Sequence, residues 1–272
     1  MQQDEAMPKA KAAAQKALSI NGQLAEAYNS LGIIALQYEW NWSESEKDSK
    51  RAIELDPNNS VAHEFYGDGY LSLFGKTDQA IAEIRKAREL DPLSPIIATD
   101  LAKRLSLERK YPEALAEFRK VLEVDPDFAE AQYYLSQTYE QMGLYPEAIA
   151  EVKTIKSWDD FPSAVGELGY IYALQGKRQE ALERAGKLQE LFMHSYTDPI
   201  LLARIYTALG DKDTAFVWLQ KAYEGRSPEM LSIGVDPAFD PLHDDPRFKD
   251  LVQRVGLPIV SGLFPSIQTG AG

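Results

Sequence analysis

The sequence predicts an all-α protein, a right-handed αα solenoid in which helix pairs stack one on the next. Three residue series carry this prediction because they share one period. Ala80, Ala114, Ala148, Ala181 and Ala215 are separated by 34, 34, 33 and 34 residues. Gly143, Gly176 and Gly210 recur at steps of 33 and 34, and Asp56-Pro57, Asp91-Pro92 and Asp125-Pro126 at steps of 35 and 34. A fixed period of this length marks a two-helix unit that cannot bury its apolar face alone and does so by stacking.

The elements follow in order. Residues 8–21 match only the second helix of a unit, because Ala10 aligns with Ser45 and Ala80, and Ala17 with Ala52 and Ala87. The chain thus opens in mid-repeat, and the expectation is a module cut from, or fused within, a longer protein. Six units follow, of which 129–162 is the clearest. Tyr134, Leu135, Thr138 and Tyr139 form one apolar face at helical spacing, and Gly143 ends that helix. Pro146 takes a first helical position, where its missing N–H costs nothing, and Ala148, Ile149, Val152 and Ile155 form the second face. A small Ala at the start of the second helix lets two backbones approach. Pro57, Pro92 and Pro126 stand just past a second helix and stop it. The first two units are 35 residues long, and the extra residue is expected in their interhelical turns. A two-helix repeat over this length gives about thirteen to fifteen helices.

Residues 228–256 break the period. Asp236-Pro237, Asp240-Pro241 and Asp245-Pro246 each read as an N-cap followed by a first helical residue. This block is expected to be a helical cap of the same domain as the solenoid, residues 1–227. The last stretch, 257–272, is apolar but interrupted by Pro258, Pro265 and glycines, so it is expected to be an irregular tail.

The repeat resembles the tetratricopeptide repeat. That resemblance rests on Tyr28, Leu31-Gly32, Ala52 and Pro57 in repeat one, and on Tyr66-Gly67, Tyr70, Ala80, Ile84, Ala87 and Pro92 in repeat two. Repeat three contributes Leu101-Ala102, Ala114, Phe118 and Pro126; repeat four Leu135-Ser136, Tyr139 and Ala148. Repeat five contributes Leu168-Gly169, Tyr172 and Ala181; repeat six Leu202-Ala203, Tyr206, Ala215, Leu219 and Ala222. The resemblance spans residues 8–224. Ser45 departs from it, standing where repeat one should carry the first Ala. The closing block, together with the Asp-Pro helix ends, resembles the C-terminal repeat regions of bacterial multi-domain signalling proteins of the adenylate cyclase, Ser/Thr kinase and winged-helix regulator types. Their catalytic and DNA-binding domains have no counterpart in this sequence.

Composition narrows the function. The chain has 29 Lys+Arg against 42 Asp+Glu, a net charge of −13, which opposes nucleic-acid binding because that needs clustered bases. No apolar run is long enough to span a membrane, and the acidic N-terminus lacks the apolar core of a signal peptide. A cytoplasmic location is the default expectation, with an extracytoplasmic one if a membrane helix lies upstream. The absence of Cys removes disulfides, zinc ribbons and thiol chemistry.

No chemical motif passes its spacing test. Gly75-Lys76-Thr77 lacks the Gly five residues before it that a phosphate loop requires, and reads as a turn with Thr77 as N-cap. His63, His194 and His243 are too far apart in sequence for a helical metal pair. His63 reads as packing, His194 as a helix end. Asp236, Asp240, Asp244 and Asp245 lack the alternation and mid-loop Gly of a calcium loop. The recurrent tyrosines Tyr66, Tyr70, Tyr139, Tyr172 and Tyr206 read as core. The chain is therefore read as non-enzymatic, with no cofactor and no metal.

The tetratricopeptide resemblance implies a concave groove lined by the first helix of each pair. Its candidate binding residues here are Asn29, Glu64, Asp68, Lys103, Tyr133, Gln137, Glu140, Tyr170 and Arg204, with Glu26, Asp100, Glu130 and Glu167 adding acid to the same face. Glu64 and Asp68 are read as lying outside the core, and Tyr133 and Tyr170 as offering flat apolar contact. The family's clamp for a terminal carboxylate needs Lys/Arg beside Asn, and Glu64, Asp68 and Thr99 stand there instead. The expected function is a scaffold binding an extended or helical protein or peptide of basic character. The alternative is a regulatory, sensory or self-association module of a larger bacterial signalling protein.

Overall fold

A computed structural model describes residues 3–194 and 197–257 of the chain. The described residues are all-helical, with fourteen α-helices and no strand, as the 34-residue period requires. The tail expected over 257–272 lies outside the described residues except for Leu257, which is buried. None of the described helices is long and apolar enough to cross a membrane. The chain divides into two compact units, Met1–Glu117 and Phe118–Gly272.

In the first unit, α1 (Gln3–Ile20) packs on α2 (Ala25–Ile34), and α2 on α3 (Trp42–Leu55). α1 buries Ala14; Ala17 is half-buried and Ala10 exposed, so the first of the two alanines aligned with later repeats takes no part in the core. Next come α4 (Ser60–Glu64), α5 (Thr77–Leu90) and α6 (Pro95–Leu107), with α4 on α5 and α5 on α6. The boundary between units falls inside α7 (Tyr111–Val124). Asn41, Asn59 and Ser94 cap α3, α4 and α6 through side-chain oxygens. Thr77 is the first residue of α5 rather than its cap: Lys76 holds the cap position and makes no side-chain cap bond. Tyr66 and Tyr70 are buried and stack on each other, and Tyr70 stacks on Phe74, as expected for core positions.

The extra residue of repeats one and two is not in the turns. α2 continues as a π-helix over Ala35–Glu39, and α4 as another over Phe65–Leu71. A π-helical turn takes one more residue than an α-turn, so the insertion is absorbed inside the first helix and the pairing with the second helix is kept.

The second unit pairs α8 (Ala129–Gln141) with α9 (Tyr145–Val152), α10 (Pro162–Leu174) with α11 (Arg178–His194), and α12 (Pro199–Ala208) with α13 (Lys212–Glu224). Val152, Ile155, Ala164 and Leu168 form one core cluster with Tyr133, Trp158 and Tyr172 against it. Ile155 lies past the end of α9, in the turns that lead to Pro162. Two 3₁₀ segments, Pro228–Ser232 and Pro237–Leu242, lead to α14 (Pro246–Val255). Asp236 and Asp245 cap as expected, while Asp240 falls inside a 3₁₀ segment. α14 buries Phe248, Leu251, Val252 and Val255.

Two features hold the period. Ala80, Ala114, Ala148, Ala181 and Ala215 all have no exposed surface, because a larger side chain there would push the paired helices apart. The turn that ends each first helix uses a left-handed residue: Gly75, Gly143, Gly176 and Gly210, but also Trp40 and Arg109. Ala148→Leu is expected to overpack its contact and lower stability by about 1–3 kcal/mol, read from the urea midpoint; a loss below about 0.3 kcal/mol would contradict the close approach. Ser45 takes the place of the first small residue in repeat one. It is fully buried, and its hydroxyl has no partner among the described residues. Ser45→Ala should therefore raise stability by about 1 kcal/mol, seen as a higher melting temperature; a lower one would show that the hydroxyl is satisfied.

Candidate functional site

The first helices present two separate polar clusters, one in each unit. In the first unit, the π-helix Phe65–Leu71 carries Asp68, α4 carries Glu64, and α6 carries Asp100, Lys103 and Arg104. Lys103 Nζ donates to Asp68 Oδ2 at 2.6 Å and to Asp100 Oδ1 at 3.2 Å, and Arg104 donates to Asp68 Oδ1 at 3.1 Å. Burial alone would raise the Asp68 carboxyl, but the two cations beside it hold it below the usual carboxylate range. Glu64 gets only partial relief from Lys103. Burial, then the charges of Asp100 and Asp68, push it up to about 9, so it is protonated at neutral pH. Glu64, Asp68 and Asp100 each bring one oxygen within 4.8 Å of the others, and the Lys103 ammonium already sits against two of them. Asn29, on α2, is buried with Oδ1 unpartnered among the described residues.

In the second unit, α8 supplies Tyr133, Gln137 and Glu140, α10 supplies Glu167 and Tyr170, and α12 supplies Arg204. Gln137 Nε2 donates to the Tyr133 hydroxyl at 2.9 Å and to Glu167 Oε2 at 3.3 Å. Arg204 donates to the same Glu167 oxygen at 3.3 Å, and its Nε lies 3.6 Å from Asp236 Oδ2. The Arg204 guanidinium lies over the Tyr170 ring, 4.6 Å from its centroid. Glu167 is 0% exposed, and its Oε1 has no partner among the described residues. Burial raises Glu167, against the pull of Arg204 and Gln137. Glu140 is pushed up to about 8 by burial and then by the Glu167 charge, which Arg204 offsets only in part.

Each residue read as a groove contact is therefore placed, but not as sequence reasoning drew it. Glu64 and Asp68 do not lie outside the packed structure. Both are half-buried, and Asp68 is held by two bases. Tyr170 is buried with its ring face taken by Arg204, whereas Tyr133 and Gln137 are half-buried. Glu26 and Glu130 are exposed. Sequence reasoning missed Arg104 and Asp236. Asp236 was legible only as a cap, and it does cap: one oxygen accepts from Ala238 N at 2.9 Å while the other faces Arg204. His63 is buried, with Nδ1 2.5 Å from Glu83 and Nε2 3.0 Å from the Pro57 carbonyl, which is a packing role.

Comparison with known proteins bears on the fold. A tetratricopeptide-repeat family model matches residues 105–168. Curated protein sequences give no significant match. Among solved structures, the chain is similar to PilW, a widely conserved type IV pilus biogenesis factor, at 21% identity over 74% of this chain and 92% of that one, with a TM-score of 0.55. It is similar to PilF of Pseudomonas aeruginosa at 20% identity over 71% and 87%, with a TM-score of 0.52. A chain of the APC/C hetero-tetramer Cut9–Hcn1 aligns at 14% identity over 93% of this chain but 46% of that one, with a TM-score of 0.61. At these identities the likeness is one of fold.

Proposed function

We propose that this chain of tetratricopeptide repeats is a non-enzymatic scaffold that binds a protein or peptide, and that the partner is basic. The observation that carries the reading is the excess of carboxyl groups over bases in the two clusters, where Glu64 and Glu140 hold protons at neutral pH that a bound cation would displace. In the second unit, among the described residues, Glu140, Glu167 and Asp236 lie around one base, Arg204. In the first unit Asp68 and Asp100 are matched by Lys103 and Arg104, while Glu64 is left over. Exposed Glu26 and Glu130 add long-range attraction on the same faces. Asn29, Glu64, Asp68, Lys103, Tyr133, Gln137, Glu140, Tyr170 and Arg204 are the proposed contact set, with Tyr133 and Gln137 reachable from solvent.

The test is a basic-peptide array followed by binding kinetics. Affinity should fall with salt, mainly through the on-rate. Charge reversal belongs at Glu26 and Glu130, since reversing Asp68 would strand Lys103 and Arg104. Affinity that ignores both salt and these reversals would remove the reading. A second reading, a regulatory or self-association module of a longer signalling protein, is supported by the resemblance of residues 228–256 to the closing block of such proteins. A concentration-dependent rise in oligomer mass by light scattering would favour it.

A further inference from the structure

We infer that the polar cluster of the second unit is a seat for one cationic group, the side chain of a Lys or Arg on a bound peptide, which docks beside Glu167 and Glu140. This rests on the scaffold reading and narrows it to one anchor. Three observations point there. First, the acids outnumber the bases: among the described residues Glu140, Glu167 and Asp236 face Arg204. Second, Glu167 is fully buried, and only one of its oxygens is used: Oε2 takes both Gln137 and Arg204, while Oε1 accepts nothing among the described residues. A buried carboxylate oxygen without a donor is costly, and a cation is the donor that also repairs the charge. Third, the cluster reaches solvent at one edge, where Tyr133 and Gln137 are half-buried and a fifth of the Asp236 side chain is exposed.

With no cation bound, a proton takes its place. Glu140 holds it, since burial and Glu167 keep its carboxyl protonated to about pH 8. The other groups facing it are Arg204 and Asp236, with the phenols of Tyr170 and Tyr145 on the neighbouring helices. An arriving ammonium or guanidinium expels that proton, so binding and proton release are linked.

The experiment is an NMR titration of the whole chain with Nα-acetyl-lysine amide and with its uncharged analogue, Nα-acetyl-norleucine amide. The lysine compound should shift resonances of Gln137, Glu167 and Tyr170, and the norleucine compound should not. Its affinity should rise about fiftyfold between pH 6 and pH 8 as Glu140 gives up its proton. Glu140→Gln, which keeps shape and removes the titration, should abolish that pH dependence and weaken binding at pH 8 about tenfold. Equal response to the two compounds would overturn the proposal without requiring any variant to fold. So would a pH-independent affinity. Failure of the scaffold reading looks different: no peptide of the array binds at all. Failure of this seat alone leaves basic peptides binding, with affinity unchanged by Glu140→Gln.

Discussion

Arg204→Leu is expected to lower the stability of the second unit by about 3–5 kcal/mol, the range for removing one partner of a buried ion pair. The guanidinium is more than nine-tenths buried and is the cation facing Glu167 and Asp236. Without it the Glu167 carboxylate keeps only its bond from Gln137, and the Tyr170 ring loses the charge stacked on it. The cell must then protonate Glu167 or bury a bare charge. Two controls separate this from loss of side-chain volume. Arg204→Leu combined with Glu167→Leu should recover at least half of the loss, because an apolar pair no longer strands a charge. Hydrogen exchange should show the loss of protection concentrated in α8, α10 and α12, since repeats couple mainly to their neighbours. A loss below about 1 kcal/mol in the urea midpoint would mean that water reaches the cluster and screens it.

The fold was legible from sequence to the extent that packing forbids alternatives. A residue that must have no side chain beyond a methyl recurs as Ala80, Ala114, Ala148, Ala181 and Ala215, and all are fully buried. The glycine series was legible for the same kind of reason, a left-handed turn. It was incomplete because Trp40 and Arg109 take that conformation with side chains attached. The 35-residue spacing was read correctly but assigned to the wrong place. An inserted residue can be absorbed by a turn or by a π-helical turn, and spacing alone does not distinguish them.

The candidate site was legible by register and not by environment. Period arithmetic placed Asp68 and Lys103 at the same position of successive repeats, and they meet at 2.6 Å. It could not tell that Glu140, Glu167, Tyr170 and Arg204 would be buried, because burial depends on how closely adjacent first helices approach. Small residues decide that approach: a side chain at Gly166 would run into Leu201, and one at Gly169 into Ile205. Asp236 was beyond reach, since the closing block follows no repeat and offers no register to project from.

Between pH 5 and pH 9 the chain is expected to become less stable as the pH rises. Glu140 and Glu64 carry the effect. Their folded-state carboxyls titrate at about 8 and about 9, against an ordinary value of 4.5. Between those values the folded chain holds protons that the unfolded chain has released, so the stability falls by about 1.4 kcal/mol per pH unit for each such group. The penalty is absent below the unfolded value, grows through neutral pH, and levels off above the folded value. Asp68, Glu46 and Asp245 are shifted the other way and act at the acid end, outside this window. Melting temperatures at pH 5.5, 7 and 8.5 should therefore descend, with a total change of several kcal/mol. The net charge of −13 pushes in the same direction, and substitution separates the two causes. Glu140→Gln and Glu64→Gln should each flatten the descent, leaving stability at pH 5.5 nearly unchanged and raising it at pH 8.5. Glu123→Gln removes the same charge from an exposed site and should leave the slope as it was. A profile that rises with pH, or that Glu123→Gln flattens as much as Glu140→Gln does, would mean that neither cluster holds its proton in the folded chain.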